Sequence, residues 1–407
     1  MKIVYLNPVG ALGGGERSLL DLLASLRKAD PQLQGHLIVC TDGPLIEAAK
    51  AIGVQVQLLQ MPAAITRAGD SRLRNARFRE LDTFAGLIGA GFAAKRYASV
   101  LRDAIVPIQP DIVHSNGIKT HLLTSLARLD QIPRIWHVRD FLSSRPLVGR
   151  LLRYAANAAT SIIANSQAVA DDVRATLGRK SALVPLEVVY NGIDTAHFSP
   201  GSLKGADETI RVGIVATYAR WKGQDLFLQA ARRVIERNLA VAIRFYIIGG
   251  PIYQTAGSQF SESELRALAA RLGISQQVEF VPFQDDPLDS YRSLDVVVHA
   301  STQPEPFGRT IVEAMSCARA VIVSAEGGAS ELFRDGTDAI AVPPRDADAL
   351  ANGIMRVVLD PALRQRLGCA ARETATQRFD RARLGPQILQ IYRRLLRPWD
   401  DPARQGR

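Results

Sequence analysis

The sequence predicts an α/β protein of two Rossmann-like domains that face each other across a cleft. Three observations lead there: short β-branched runs alternate with amphipathic helical patterns, the alternation occurs in two successive sets, and a polar break rich in Gly and Pro separates them. In the first set, residues 3–6, 37–39, 54–59, 111–113, 135–138, 162–163 and 188–190 read as buried strands. Helical patterns lie between them, notably residues 16–27, with Leu19, Leu20, Leu22, Leu23 and Leu26 on one broad face, and residues 119–129. The second set has strands at 211–216, 243–248, 278–281, 296–298, 321–323 and 340–342, with helices at 226–238, 261–272, 311–316 and 348–359. The expected domains are residues 1–198 and 209–382, hinged at Phe198-Ser199-Pro200-Gly201. Residues 383–407 read as a closing helix and a tail. In doubly wound sheets the loops at the carboxyl ends of the strands carry the ligand, so function is expected there.

Composition narrows the class. A chain of 407 residues, 47% hydrophobic and 22% charged, is long enough for two ordinary cores and is neither fibrous nor disordered. Cys40, Cys317 and Cys369 are isolated, with no C-x-x-C pair, which excludes a disulfide framework or a cysteine zinc site and suits a reducing compartment. The apolar run at residues 3–6 is too short for a secretory signal core, and the uncharged stretch 84–94 is too short and too glycine-rich to span a bilayer. The expectation is a cytoplasmic protein. Fifty basic against forty acidic residues give a net charge of +10, which favours anionic partners.

Two segments carry recognisable chemistry. After the first strand, Gly10-Ala11-Leu12-Gly13-Gly14-Gly15-Glu16 opens a helix. Gly14 and Gly15 there form either a phosphate-approaching turn or a plain tight turn, since neither the G-x-G-x-x-G nor the P-loop spacing is met. The second segment is Ser301 to Met315. Glu305 falls in a loop and Glu313 two turns into the following helix; eight residues apart, they would stand ~80° apart on one continuous helix, so a shared stripe does not explain them. They can instead grip separate parts of an extended ligand, with the N–H groups of the Gly308-Arg309-Thr310 turn suited to a diphosphate between.

The form Glu-x-Phe-Gly-x-x-x-x-Glu-Ala-Met, from Glu305 through Phe307 to Glu313, resembles the signature of the family 4 retaining glycosyltransferases, which have the GT-B fold. The likeness runs through Tyr190-Asn191-Gly192-Ile193-Asp194, Lys222-Gly223, Ile248-Gly249 and Gly327-Gly328 with Glu331, and covers nearly the whole chain. It implies transfer of a sugar from a UDP- or GDP-sugar to a hydroxyl of a glycan or lipid-linked acceptor, with the anomeric configuration kept. It also implies that Glu313 binds the ribose hydroxyls, that Glu305 lies by the donor sugar, and that Lys222 neutralises the departing diphosphate. Where the family has an arginine five residues before that lysine, this chain has Thr217, and Arg220 is the candidate second cation. Ala318 and Ala320 stand where the family tends to have Gly and Pro.

In the first domain, Trp136-His137-Val138-Arg139-Asp140 ends a strand. His137 and Arg139, two apart, share one side of it, so His137 can orient a hydroxyl and Arg139 can bind phosphate or an acidic acceptor. His114 and Asn116 close the preceding strand and are acceptor-side candidates. Asp346-Ala347-Asp348 has the form of a metal-binding D-x-D but precedes a helix and reads as its cap, so no metal is expected. Arg67, Arg72, Arg74, Arg77 and Arg79 form a basic segment with three readings: an anionic membrane surface, an acceptor phosphate, or a solvated surface. No nucleic-acid partner is expected. The rival functions are a sugar-nucleotide epimerase of the same fold, an NAD-linked oxidoreductase using Asp42, and a non-enzymatic basic binding protein.

Overall fold

The structure is a computed structural model that describes residues 1–67, 80–201, 209–251 and 257–397. Its contacts divide the chain into two compact units, residues 1–192 with 381–407, and residues 193–380.

In the first unit the order is β1 (Lys2–Asn7), α1 (Gly14–Ala29), β2 (Gln34–Val39), α2 (Leu45–Ala51), β3 (Gln55–Leu58), α3 (Ala63–Arg67), α4 (Glu80–Ile105), β4 (Ile112–Asn116), α5 (Ile118–Leu126), β5 (Arg134–Val138), α6 (Pro146–Ala155), β6 (Ser161–Ala164), α7 (Gln167–Leu177) and β7 (Leu186–Val188). The seven strands form one parallel sheet in the order β3-β2-β1-β4-β5-β6-β7. Alternate residues of β1 serve opposite faces, as the strand period of two demands. Ile3 and Tyr5 pack with Leu19, Leu22 and Leu26 of α1, whereas Val4 and Leu6 pack with Tyr97, Leu101 and Ile105 of α4.

The second unit contains β8 (Thr209–Val215), α8 (Gln224–Glu236), β9 (Ala242–Gly249), α9 (Glu262–Arg271), β10 (Val278–Pro282), α10 (Leu288–Ser293), β11 (Val296–His299), α11 (Arg309–Ser316), β12 (Ala320–Ser324), β13 (Ile340–Val342), α12 (Ala347–Leu359) and α13 (Pro361–Phe379). Its six parallel strands run β10-β9-β8-β11-β12-β13. The last helix, α14 (Leu384–Leu396), belongs to the first unit, where Ile388, Leu389, Ile391 and Tyr392 join the α1 face of the core and Arg381 pairs with Asp21 at 3.1 Å.

The division falls a few residues before the expected hinge. Residues 193–199 are held by the second unit: Ile193 N–H donates to Phe379 O, Arg372 Nη1 donates to the carbonyls of Thr195 and Phe198, and Arg292 donates to Ser199. The return comes at Asp380, two residues before the expected 382.

Each sheet has one topological switch point, where strand order reverses: β1 beside β4 in the first, β8 beside β11 in the second. Loops leaving those strands diverge to opposite faces and leave a crevice at their carboxyl ends.

Candidate active site

In the second unit the switch point brings together Lys222, which follows β8, and Glu305, which follows β11. Lys222 ends a 3-10 turn (residues 220–222). Gly223 next to it has φ 78°, and a Cβ there would sit 2.0 Å from Ala300 O, so only glycine lets the β8 loop pass this close to the end of β11. Thr302 N–H donates to Trp221 O at 2.8 Å and ties the two loops. Glu305 is fixed by its backbone, its N–H donating to Glu326 O and its carbonyl accepting from Gly328 N–H at 2.7 Å.

Three groups converge on Glu305 Oε2: Lys222 Nζ at 2.7 Å, Ser301 Oγ at 3.1 Å and His299 Nε2 at 3.2 Å. Burial pushes this carboxyl up, but the Lys222 charge and the hydrogen bond from His299 outweigh it and hold the group at about 2. Glu305 is therefore an anion at neutral pH. Lys222 also lies 4.0 Å over the Trp221 ring. His299 and Ser301 escaped the sequence reading. The signal that marks them is position, since His299 is the last residue of β11 and Ser301 follows two residues later, at its carboxyl end.

Glu313 lies on α11, whose N-cap is Gly308. Its Oε1 accepts from Arg309 Nε at 2.6 Å and its Oε2 from Tyr291 Oη at 2.8 Å. Arg309, expected to offer its backbone to a diphosphate, thus turns its side chain onto Glu313, one helical turn on. Thr310 follows it at the helix start, half-buried. Phe307, expected on the donor side, is buried edge-on against Phe379 of α13, with ring centroids 5.9 Å apart. Arg220 does not reach Glu305 either. Its guanidinium stacks 4.3 Å over Phe260 and donates to Glu264 at 2.7 Å, so the expected second cation is engaged on its own surface.

In the first unit the switch point collects His114 and Asn116 at the end of β4 and His137 and Arg139 at the end of β5. Arg139 donates Nε to Asn116 Oδ1 at 3.3 Å, Nη1 to Asn191 Oδ1, and Nη2 to His137 Nδ1 at 3.3 Å. His114 Nε2 lies 3.1 Å from His137 Nδ1, and its Nδ1 lies 2.7 Å from Tyr392 Oη of α14. Burial lowers both histidines, His114 to about 3 and His137 well below the usual range, and the Arg139 charge pushes in the same direction. Both rings are neutral at pH 7. Gly14 and Gly15 are exposed as the first residues of α1, and Glu16 reaches back to Gly13 N–H at 3.2 Å.

Asp346 Oδ1 accepts from the N–H groups of Asp348 and Ala349, the capping role expected of it, and Asp348 pairs with Arg233 at 2.6 Å. Arg72, Arg74, Arg77 and Arg79, and the side chain of Arg67, lie outside the described residues.

Residues 12–197 match the family model described as Glycosyltransferase Family 4, and residues 199–374 match that described as Glycosyl transferases group 1. This chain belongs to glycosyltransferase family 4. Among its relatives is the D-inositol 3-phosphate glycosyltransferase of Kribbella flavida, 32% identical over 230 residues, 54% of this chain and 53% of the relative. The chain thus spans about half the length of the first curated relatives it matches. The alpha-maltose-1-phosphate synthase of Mycolicibacterium smegmatis is 29% identical over 316 residues, 70% of this chain and 79% of that one. Among solved structures, Anabaena Alr3699/HepE in complex with UDP and glucose has a TM-score of 0.75 at 25% identity, covering 96% of this chain and 99% of that one. The family 4 chain therefore has the GT-B class of fold, each unit a Rossmann-like parallel sheet of seven or six strands.

Proposed function

We propose that this family 4 chain is a retaining, metal-independent glycosyltransferase that moves a sugar from a nucleoside-diphosphate sugar to a hydroxyl of a glycan or lipid-linked acceptor. The observation that carries the reading is the buried Lys222–Glu305 pair at the β8/β11 switch point, with Glu313 two turns into α11. Lys222 offers a full cation to the departing diphosphate, where charge grows as the bond to the sugar breaks. Glu305, held ionised, orients that cation and stands by the donor sugar. Glu313 exchanges one of its present partners for the ribose hydroxyls when nucleotide binds. The complex of Alr3699/HepE with UDP and glucose favours uracil as the donor base. The relatives' names favour transfer over epimerisation, oxidoreduction or simple binding.

The test is incubation of the full chain with UDP-glucose and GDP-sugars, a chelator, and a panel of glycan and lipid-linked acceptors. Nucleoside diphosphate release that depends on acceptor, with an α-configured product from an α-donor, supports the reading. Sugar-nucleotide turnover that needs no acceptor supports the epimerase instead.

A peripheral membrane role has one supporting observation in this chain. Helix α6 exposes Leu147, Leu151 and Tyr154, spaced four and three apart on one face, among exposed Arg145, Arg150 and Arg153, and no acidic residue occurs from 141 to 170. That combination suits the headgroup level of an anionic bilayer. Among the described residues no helix is long and apolar enough to cross a membrane. Sedimentation with vesicles containing phosphatidylglycerol, but not with pure phosphatidylcholine, is the expected result, lost in Leu151→Glu.

A further inference from the structure

Arginine has donors only and stays protonated, so every group that hydrogen-bonds to a guanidinium must accept. Arg139 therefore fixes its neighbours. Asn116 must turn Oδ1 toward it, which sends Nδ2 the other way; His137 must leave Nδ1 bare, which puts its proton on Nε2. His114 Nε2, 3.1 Å from that bare nitrogen, must then carry a proton, and His114 Nδ1 must accept from the Tyr392 hydroxyl. The directions run from a cation on the loop after β5 to a tyrosine on the last helix, whose single hydroxyl proton goes to His114 Nδ1 at 2.7 Å, so that Tyr5 Oη, 3.4 Å away, donates to Tyr392. At the far ends, His137 Nε2 and Asn116 Nδ2 are buried and have no hydrogen-bond partner among the described residues. Two N–H donors without acceptors in a protein interior are costly unless a ligand supplies the oxygens.

We infer that Arg139 and, through His114, Tyr392 lock His137 as a neutral Nε2–H donor to a ligand oxygen, and that Tyr392 is a positioning residue of this site. In this state His137 donates and has no free nitrogen to act as a base. The presented groups are uncharged, and Arg139 spends its donors on Asn116, Asn191 and His137. The arrangement suits a hydroxyl oxygen of a polyol better than a phosphate. The ligand's identity rests on the transferase reading, whereas the lock does not.

The lock is read by long-range proton–nitrogen correlation spectra of the full chain labelled with 15N-histidine, the six histidines being assigned by single His→Gln variants. In the wild type, His137 and His114 are each expected to show a protonated Nε2 and a bare Nδ1. A wild-type His137 protonated on Nδ1 overturns the proposal without any further variant. In Tyr392→Phe the His114 tautomer ratio should shift roughly fivefold, the worth of one typical hydrogen bond, while His121, held by Ser115 at 2.7 Å, keeps its signal as a check on folding. An unmoved His114 ratio with His121 unchanged contradicts the role of Tyr392. Adding UDP-glucose and then acceptor separates the two claims: a shifted His137 Nε2 proton supports the ligand oxygen. An unshifted one with the tautomer intact overturns that destination alone.

Discussion

Lys222 Nζ lies 2.7 Å from Glu305 Oε2, and the two side chains are only 16% and 10% exposed. Removing one partner of such a pair leaves a buried, uncompensated charge, which costs ~3–5 kcal/mol. Lys222→Met should therefore destabilise strongly, whereas the double change Lys222→Met with Glu305→Gln should cost clearly less than the sum of the singles. Urea unfolding of the four proteins measures this coupling. Additive losses would show that the pair is not coupled as the geometry indicates.

The buried histidines make the fold sensitive to acid. His114 and His121 are lowered to about 3, chiefly by burial, against 6.5 when unfolded. Between those values the unfolded chain binds protons that the folded chain refuses, so stability is complete above about 6.5 and falls as pH drops toward 3. Glu305, lowered to about 2, adds its own loss between about 4.5 and 2. Each such proton contributes a slope of ~1.4 kcal/mol per pH unit. Urea midpoints should fall between pH 7 and pH 5, and His114→Gln should flatten that fall by about one proton.

Much of this architecture was legible in the sequence. The β-branched runs at 3–6 and 296–298 became central strands because a strand buried on both faces needs little but apolar, branched residues. The strand expected at 188–190 ends at Val188, since Tyr190 and Asn191 instead accept from Arg383 beside the last helix. Glu305 and Glu313 were found by spacing, which records the loop and helix positions they occupy, and Lys222 by its likeness to the family lysine. Side-chain direction was not recorded there. Phe307 turns into the core, Arg220 outward to Glu264, and the His137–His114–Tyr392 series joins residues 278 positions apart that only the returning helix brings together.

Ala318, which takes the place of a family glycine, has φ 55°. A left-handed residue with a Cβ costs ~1–2 kcal/mol, partly offset by the greater unfolded freedom of glycine. Ala318→Gly should therefore raise the unfolding free energy by ~0.5–1 kcal/mol. A loss of stability would mean that the Ala318 methyl packs to an advantage that the strain does not outweigh.

Arg220 and Glu264 form an exposed pair, so Arg220→Ala should change stability by less than ~1 kcal/mol. If Arg220 leaves Glu264 to meet the departing diphosphate, the same change should lower the turnover number at least tenfold, and Glu264→Ala should not. Equal turnover in Arg220→Ala and wild type would leave Lys222 as the cation that serves the leaving group.

Thermal unfolding with UDP, GDP, ADP or NAD in the presence of chelator probes the nucleoside-diphosphate site around Glu313. A ligand at 100 times its dissociation constant adds ~2.7 kcal/mol. One nucleoside diphosphate, UDP foremost, should raise the melting temperature of the wild type and not of Glu313→Ala. Stabilisation by NAD alone, or an equal rise in both proteins, would contradict it.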